Sequence, residues 1–555
     1  MTEPINEAQG SAAEQAGAAA QGSAAEQGNT AAQGSAPEYR KRKRSTGKIV
    51  AVVGVLVVVA VVAVLAFVLT RGNGNGNGQH PTPGEGAGSR QLTVGLQLEP
   101  TNLDIRKTAG VALDQILIDN VYQGLIGLKP GSVSEFVPVL AEALPKVSAD
   151  GLTYTFALRQ GVTFGTSGTT LAAKDVVDSL SATLTEALLG APAKVSAPDE
   201  RTIEIVLAKP NSQLLWQLAN RPGLVFETAY TGNLENTVNG TGPYLLKQWK
   251  QGDSITFAKN PKYWGEPAAL DSVVWRYIPD GNAAVNAAKE GDVDVLAPVV
   301  SSFVSQLEGD KNFVLGHADS TDVFTLVYNS AKAPLDDVRV RTALSKAIDS
   351  QAIIKSFYGD GKALGGPITD LEPAYEDLTS VNGYDPEGAK KLLAEAGVKN
   401  LKLTVTMPNF YSTDAINQVV TDFKAVGVTL KVNQVAFATW LSDVYSPPAG
   451  GGARDFDLSY IDHAEAHDFV NYVTEGYYFG SVDPKAKDLY DRSLVATDPA
   501  EAVDLVKQAA RIVADDAPAK WLINYTPTNA IGTKVHGFPT SNTNSRISLQ
   551  GVTVD

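Results

Sequence analysis

Apolar and polar positions alternate along Gln91-Leu92-Thr93-Val94-Gly95-Leu96-Gln97-Leu98, the period-two pattern of a strand with one buried face. The alternation returns at Leu401 to Met407 and at Val428 to Val435, and residues 414–426 between them carry helical spacing. Helix starts are marked chemically. Asp385 can accept from the free amides of a helix that has Pro386 at its first position, and Gly397 suits the end. Asp498-Pro499 repeats that start for a helix running to about Ala517. Helices thus alternate with strands, which predicts an α/β fold. No solenoid-type period interrupts this part of the chain.

Upstream the pattern changes character. Residues 1–39 are Ala, Gln, Gly, Ser and Glu, with Gln-Gly-Ser-Ala recurring at Gln9, Gln21 and Gln33, and they hold too little apolar surface to fold. Arg40, Lys41, Arg42, Lys43 and Arg44 follow, with Lys48 beyond. Ile49 to Leu69 is then apolar except for Gly54, close to the ~20 residues a helix needs to cross a bilayer. Basic residues ahead of the span predict a cytoplasmic N-terminus and a body on the extracytoplasmic side of the membrane. Residues 71–90, rich in Gly, Asn and Pro, read as a flexible spacer. The competing expectation is a cleaved signal peptide with Val64-Leu65-Ala66 at its cleavage site and a mature start near Phe67. The length of the apolar run and the long tail before it favour an uncleaved anchor. The chain is therefore divided into a disordered tail (1–48), a transmembrane helix (49–70), a linker (71–90) and a folded body (91–555).

Length and composition narrow the function. At 555 residues the chain exceeds what one core sustains, roughly 250–300 residues, so two or more lobes are expected. A net charge of −15 excludes a nucleic-acid binder, which needs clustered Lys and Arg. The absence of cysteine removes disulfides, thiolate nucleophiles, Cys-ligated metals and lipid-modified Cys anchors together. The body has no Gly-x-Ser-x-Gly, no Walker loop and no dinucleotide fingerprint between strand and helix. No enzyme, cofactor or resident metal is expected.

One histidine pattern needs separate treatment. Of His80, His317, His463, His467 and His536, the pair in His463-Ala464-Glu465-Ala466-His467 would share a face if helical. Zinc proteases place Glu directly after the first His. Here it comes one residue later, on a different side, so that catalytic reading fails. Two readings stay open for the pair, polar residues of a strand end or loop and a metal ligand.

Several ordered segments carry a family resemblance. They include Pro100-Thr101-Asn102-Leu103-Asp104, Asn120-Val121-Tyr122-Gln123-Gly124-Leu125 and the stretch Asp150-Gly151-Leu152-Thr153-Tyr154-Thr155-Phe156 through Phe164. Gly240-Thr241-Gly242-Pro243-Tyr244, Asn260-Pro261-Lys262-Tyr263-Trp264-Gly265, Pro334-Leu335-Asp336-Asp337-Val338-Arg339-Val340-Arg341 and Tyr384-Asp385-Pro386-Glu387 continue in order. Over residues 91–540 the sequence resembles the peptide- and nickel-type family of extracellular solute-binding proteins. That resemblance implies a two-lobed periplasmic-binding-protein fold with an extra domain on the first lobe. Lobe one would comprise 91–118, 236–327 and 519–555, the extra domain 119–235, and lobe two 328–518. Crossings near Tyr328-Asn329 and Leu522 to Asn524 would form the hinge.

The resemblance also implies site residues. Thr108, Ala109, Gly110 and Val111 correspond to backbone-binding positions of peptide binders, and Phe437 and Trp440 to pocket aromatics. Tyr328, Asn329 and Trp521 fall at the expected crossings. Aligned backward from Asn471-Tyr472, Glu465 takes the place of the carboxylate that meets a peptide's amino terminus. Aligned forward from Phe456-Asp457, Ala466 takes that place and His463 that of a tryptophan. Asp462, His463, Glu465, His467 and Asp468 are accordingly candidates for a cleft segment in which Glu465, with Asp462 or Asp468, holds a cationic group. Tyr263 and Trp264 read as a structural corner.

The implied role is an extracytoplasmic, membrane-anchored substrate-binding subunit of an ABC importer. Its body would be monomeric, and it would capture oligopeptides or dipeptides for permease and ATPase subunits. The alternatives are a metal-chelate binder of the nickel type, a metal-dependent hydrolase using His463 and His467, and a surface adhesin or sensor that keeps the fold without an importer.

Overall fold

The computed structural model describes residues 90–555 apart from 109, 410, 449–453, 465, 481, 542 and 544. The expected tail, membrane span and most of the spacer lie outside the described residues, and so do Ala109 and Glu465. Among the described residues no helix is long and apolar enough to cross a membrane.

The local signals produce the elements they predict. Asp385 accepts from the amide of Gly388 and starts the helix Pro386–Glu395, while Gly397, at φ 72°, follows its end. Asp498 accepts from Ala500 to start Pro499–Asp516. Lys402–Pro408 and Thr429–Val435 are parallel strands, and the helix Asp414–Ala425 connects them.

These elements assemble into a mixed α/β fold of two lobes. The first is built on a seven-stranded sheet in which Gln91–Leu96 lies between Val295–Leu296 and Ser272–Tyr277, parallel to both. The strand Thr528–Gly532 inserts between Phe313–His317 and Val295–Leu296. Leu92, Val94, Phe257 and Trp275, all fully buried, fill one of its cores.

The second lobe is built on a six-stranded sheet whose centre is Val323–Tyr328, antiparallel to Leu458–His463 on one side and Ala519–Tyr525 on the other. Separate apolar clusters cover the two faces, one around Leu326, Tyr460 and Ile523, the other around Val327, Ile461 and Trp521. Both Val323–Tyr328 and Ala519–Tyr525 therefore pair within lobe two, whereas the resemblance places 323–327 and 519–525 in lobe one. The chain passes between the sheets at 318–322 and 526–527 rather than at Tyr328-Asn329 and Leu522–Asn524. Those passages are tied to each other: the Ala318 amide donates to Pro527 O at 2.7 Å, and Asn524 Nδ2 donates to Ser320 O and Asp322 O at 2.9 and 3.0 Å.

A third sheet of four strands, Lys146–Val147, Thr153–Ala157, Thr202–Leu207 and Ala193–Asp199, has its own core around Phe156, Phe164, Ile203 and Ile205. Tyr263 and Trp264 join it to the first lobe, with Gln123 donating to the Tyr263 hydroxyl and accepting from the Trp264 indole. That is the corner expected from the sequence.

Candidate functional site

Beside the two crossings, the lobes enclose a cavity of about 490 Å³. Lobe one supplies Gln97 and Leu98 at the end of its first strand, Val111 and Gln115 from the helix Val111–Leu117, and the segment 297–302. Strand register builds the wall of lobe two. Phe324 stands directly opposite Asp462, and Leu326 opposite Tyr460, so these side chains share one face of the sheet. The next residues along each strand point the other way.

Aromatic rings pave that face. Phe324 stacks on Tyr460 at 5.6 Å between centroids, and Tyr411 meets both rings edge-on at 5.4 and 5.7 Å. Phe357 and Tyr525 extend the surface, and the Tyr525 hydroxyl lies 3.2 Å from Ser301 Oγ of lobe one. Burial, and then the Asp462 carboxylate, push the phenols of Tyr411 and Tyr460 well above the ordinary tyrosine range. They stay neutral and keep their protons as hydrogen-bond donors. Asp322 and Asp414 line the same cavity.

Sequence reasoning found Val111 and Asp462 of this lining and missed Asp322, Phe324, Phe357, Tyr411, Tyr460 and Tyr525. The strand Val-Phe-Thr-Leu-Val-Tyr is buried along its whole length and gives no face preference in sequence. The usable signal was the i, i+2 pair of Tyr460 and Asp462, which must share a face.

The remaining candidates scatter. Thr108 exchanges hydrogen bonds with the Asn102 side chain at 2.7 and 2.9 Å, beside a buried Gly110 whose φ of 139° excludes most side chains. Tyr328 is fully buried with its hydroxyl 3.1 Å from Ser345 Oγ, and Asn329 donates to the carbonyls of Arg454 and Phe456. Neither lines the cavity, because both sit at the end of their strand away from the crossings. Trp440 is buried with its indole on Ser459 Oγ at 2.9 Å, and Phe437 stacks on it at 5.7 Å. Trp521 donates to the Tyr472 hydroxyl at 2.9 Å. An irregularity in the pairing between Phe324 and Thr325 turns Trp521 to the opposite face from Ile523.

Comparison with known proteins fits this geometry. Residues 135–450 match the family model described as bacterial extracellular solute-binding proteins, family 5 Middle. The chain belongs to that family. Its relatives include the dipeptide-binding protein of Escherichia coli K12, 27% identical over 489 residues, which cover 78% of this chain and 88% of that one. The glutathione-binding protein GsiB of Escherichia coli O1:K1 is 28% identical over 462 residues, again 78% and 88% of the two chains. Among solved structures, HbpA2 from Haemophilus parasuis superposes with a TM-score of 0.73 at 22% identity, over 84% of this chain and 100% of that one. Membership makes the chain a binding protein rather than an enzyme.

In this family-5 solute-binding protein the two histidines diverge. His463, opposite in facing to Asp462, sits with Nε2 2.9 Å from the Tyr478 hydroxyl and Nδ1 3.4 Å from Asp468. His467, at φ 62°, points to the extra domain, with Nδ1 2.9 Å from Gln213 Oε1 and its ring 4.8 Å from that of Trp216. The helix that would have put both on one face does not form, because the strand runs on through His463 and a turn follows. Among the described residues no three His, Asp or Glu side chains are grouped to hold a metal ion.

His467 also lines a larger space of about 900 Å³ between the extra domain and lobe two, walled by Phe136, Tyr154, Trp216, Phe469 and Val503. Size does not make it the better candidate. Its rim includes Val147, 47% exposed, and it lies away from the chain crossings. The smaller cavity lies beside both crossings, and both lobes contribute its walls.

Proposed function

We propose that this protein is the substrate-binding subunit of an ABC importer, held outside the cytoplasmic membrane through residues 49–70 and delivering a peptide to permease and ATPase subunits. The observation that carries the reading is the cavity beside the two crossings. Its walls come from different lobes, so rotation about 318–322 and 526–527 would open and close it around a solute. Two relatives are named for the peptides they bind, a dipeptide and glutathione, and this supports a peptide.

Val111 and Gln115 would meet the peptide from lobe one, and Asp462, with Glu465 on the segment after it, would hold its amino group. Closure would strip water from that ion pair and strengthen it. The divergence of His463 and His467 gives no support to a joint metal-chelate site.

Mass spectrometry of the solute that co-purifies with the full chain tests the reading, with a peptide expected; a sugar or a metal chelate would sink it. Replacing Glu465 with Gln is expected to weaken binding at least tenfold. N-terminal sequencing of the native protein tests the tether, and a start near Phe67 would refute it.

A further inference from the structure

The cavity between the lobes is uneven in charge. Its described lining contains three ionisable carboxylates, Asp322, Asp414 and Asp462, and no Lys, Arg or His. The undescribed residues of the body cannot reverse this, since they are Ala109, Phe410, Ala449, Gly450, Gly451, Gly452, Ala453, Glu465, Ser481, Asn542 and Asn544. Three basic side chains of neighbouring segments, those of Lys362, Arg106 and Arg221, are engaged with other carboxylates, and Lys355, exposed on the helix before Ser356, is not part of the lining. Lys362 Nζ lies 2.6 Å from Asp319 and 2.8 Å from Asp370, Arg106 holds Asp104 at 2.8 Å, and Arg221 holds Asp114 at 2.7 Å. A free dipeptide brings a carboxylate as well as an ammonium group, and a short cleft would have to satisfy both ends.

The aromatic wall points the same way. Asp462 stands in register with Phe324, beside Tyr411 and Tyr460, so a cation approaching it also lies against ring faces that attract positive charge. The carboxylates form no compact group of metal-ligating residues. Their arrangement suits an extended organic ion.

We propose that the cleft selects an organic cation with no free carboxylate at the bound end: an amine, or a peptide whose carboxyl terminus is blocked or lies outside. This rests on the cleft being the solute site and narrows the class of solute. Asp462 and Asp322 attract the cationic group, the rings of Phe324, Tyr411 and Tyr460 flank it, and Asp414 at the rim adds to the field.

Calorimetric titration of the full chain in detergent with alanyl-phenylalanine amide, alanyl-phenylalanine and 1,5-diaminopentane tests this. The amide is expected to bind at least tenfold more tightly than the free acid, and Asp462→Asn to remove most of that preference. Asp414→Asn, at an exposed position, should lower it by a smaller factor and serves if the first variant misfolds. Equal or tighter binding of the free acid overturns the charge inference and leaves peptide import standing. Binding of the diamine alone supports the inference and defeats the peptide reading. Failure of all three probes, or an unchanged preference in both variants, overturns the inference, while the co-purifying solute decides the import reading separately.

Discussion

The imidazole of His467, carried by lobe two, meets the side chain of Gln213 in the extra domain, with Nδ1 2.9 Å from Oε1. Its backbone amide donates to Glu372 Oε2 at 3.0 Å, and Asp468 adjoins both. The contact ties His467 to a neighbouring domain. It also sets two titrations against each other.

Burial lowers the His467 pKa from 6.5 to about 4. Between those values the unfolded chain binds a proton that the folded chain refuses. Its contribution to stability is therefore complete above pH 6.5 and is lost as pH falls toward 4. Partial exposure limits the effect to the order of 1 kcal/mol. In a Glu372→Gln background, where the opposing group is absent, the melting temperature is expected to drop from pH 7 to pH 5. A flat profile there would contradict the assignment.

Glu372 has the opposite sign. Burial first, and then the charge of Asp468, raise its pKa from 4.5 to about 8. Between pH 4.5 and 8 the folded chain keeps a proton the unfolded chain has released, so this group costs stability as pH rises and costs nothing below 4.5. Glu372→Gln keeps the acceptor for the His467 amide and removes the ionisable group. It is expected to be more stable than the parent at pH 7.5, by on the order of 1 kcal/mol, and equal to it near pH 4. Thermal melts at the two pH values measure the difference.

Trp440→Phe separates core from site. The substitution leaves the buried Ser459 hydroxyl without its indole donor and should cost about 1–2 kcal/mol. Solute affinity, measured by calorimetry, should stay within twofold. A larger loss would return Trp440 to the site.

Arg341, 2% exposed, donates to Asp516 at 2.6 Å and to the carbonyls of Leu335, Asp336 and Asp516. Its replacement by Met strands a partly buried carboxylate and several carbonyls, and a loss of roughly 3 kcal/mol in denaturant melts is expected. The motif around Arg341 is thus predicted to act through the fold, with solute selectivity unchanged in whatever fraction remains folded.

What was legible in the sequence was local. Asp385 with Pro386, and Asp498 with Pro499, announce helices because a cap and a fixed φ act within one turn. The α/β alternation and the Tyr263-Trp264 corner followed in the same way. The crossings between the sheets were not legible. Their position depends on which sheet takes Val323–Tyr328 and Ala519–Tyr525, and both strands are buried almost throughout, so neither shows an alternation that would assign it. The cavity lining was legible only in part: the sequence singled out Val111 and Asp462, but the aromatic residues around Asp462 come from positions 324, 357, 411 and 525, which only strand pairing and chain reversal bring together. The irregularity beside Trp521 moved one expected contact to the wrong side of the sheet.

The insertion of Thr528–Gly532 between Phe313–His317 and Val295–Leu296 has a consequence for synthesis. During vectorial emergence of the chain, the sheet built on Gln91–Leu96 stays in two pieces until residue 532 is available, although its earliest strand appeared some 440 residues before. The sheet between Val323 and Tyr525 has all its strands sooner. The lobe that begins first is completed last, and its unpaired edges at Val295–Leu296 and Phe313–His317 are the surfaces a chaperone would have to shield in the meantime.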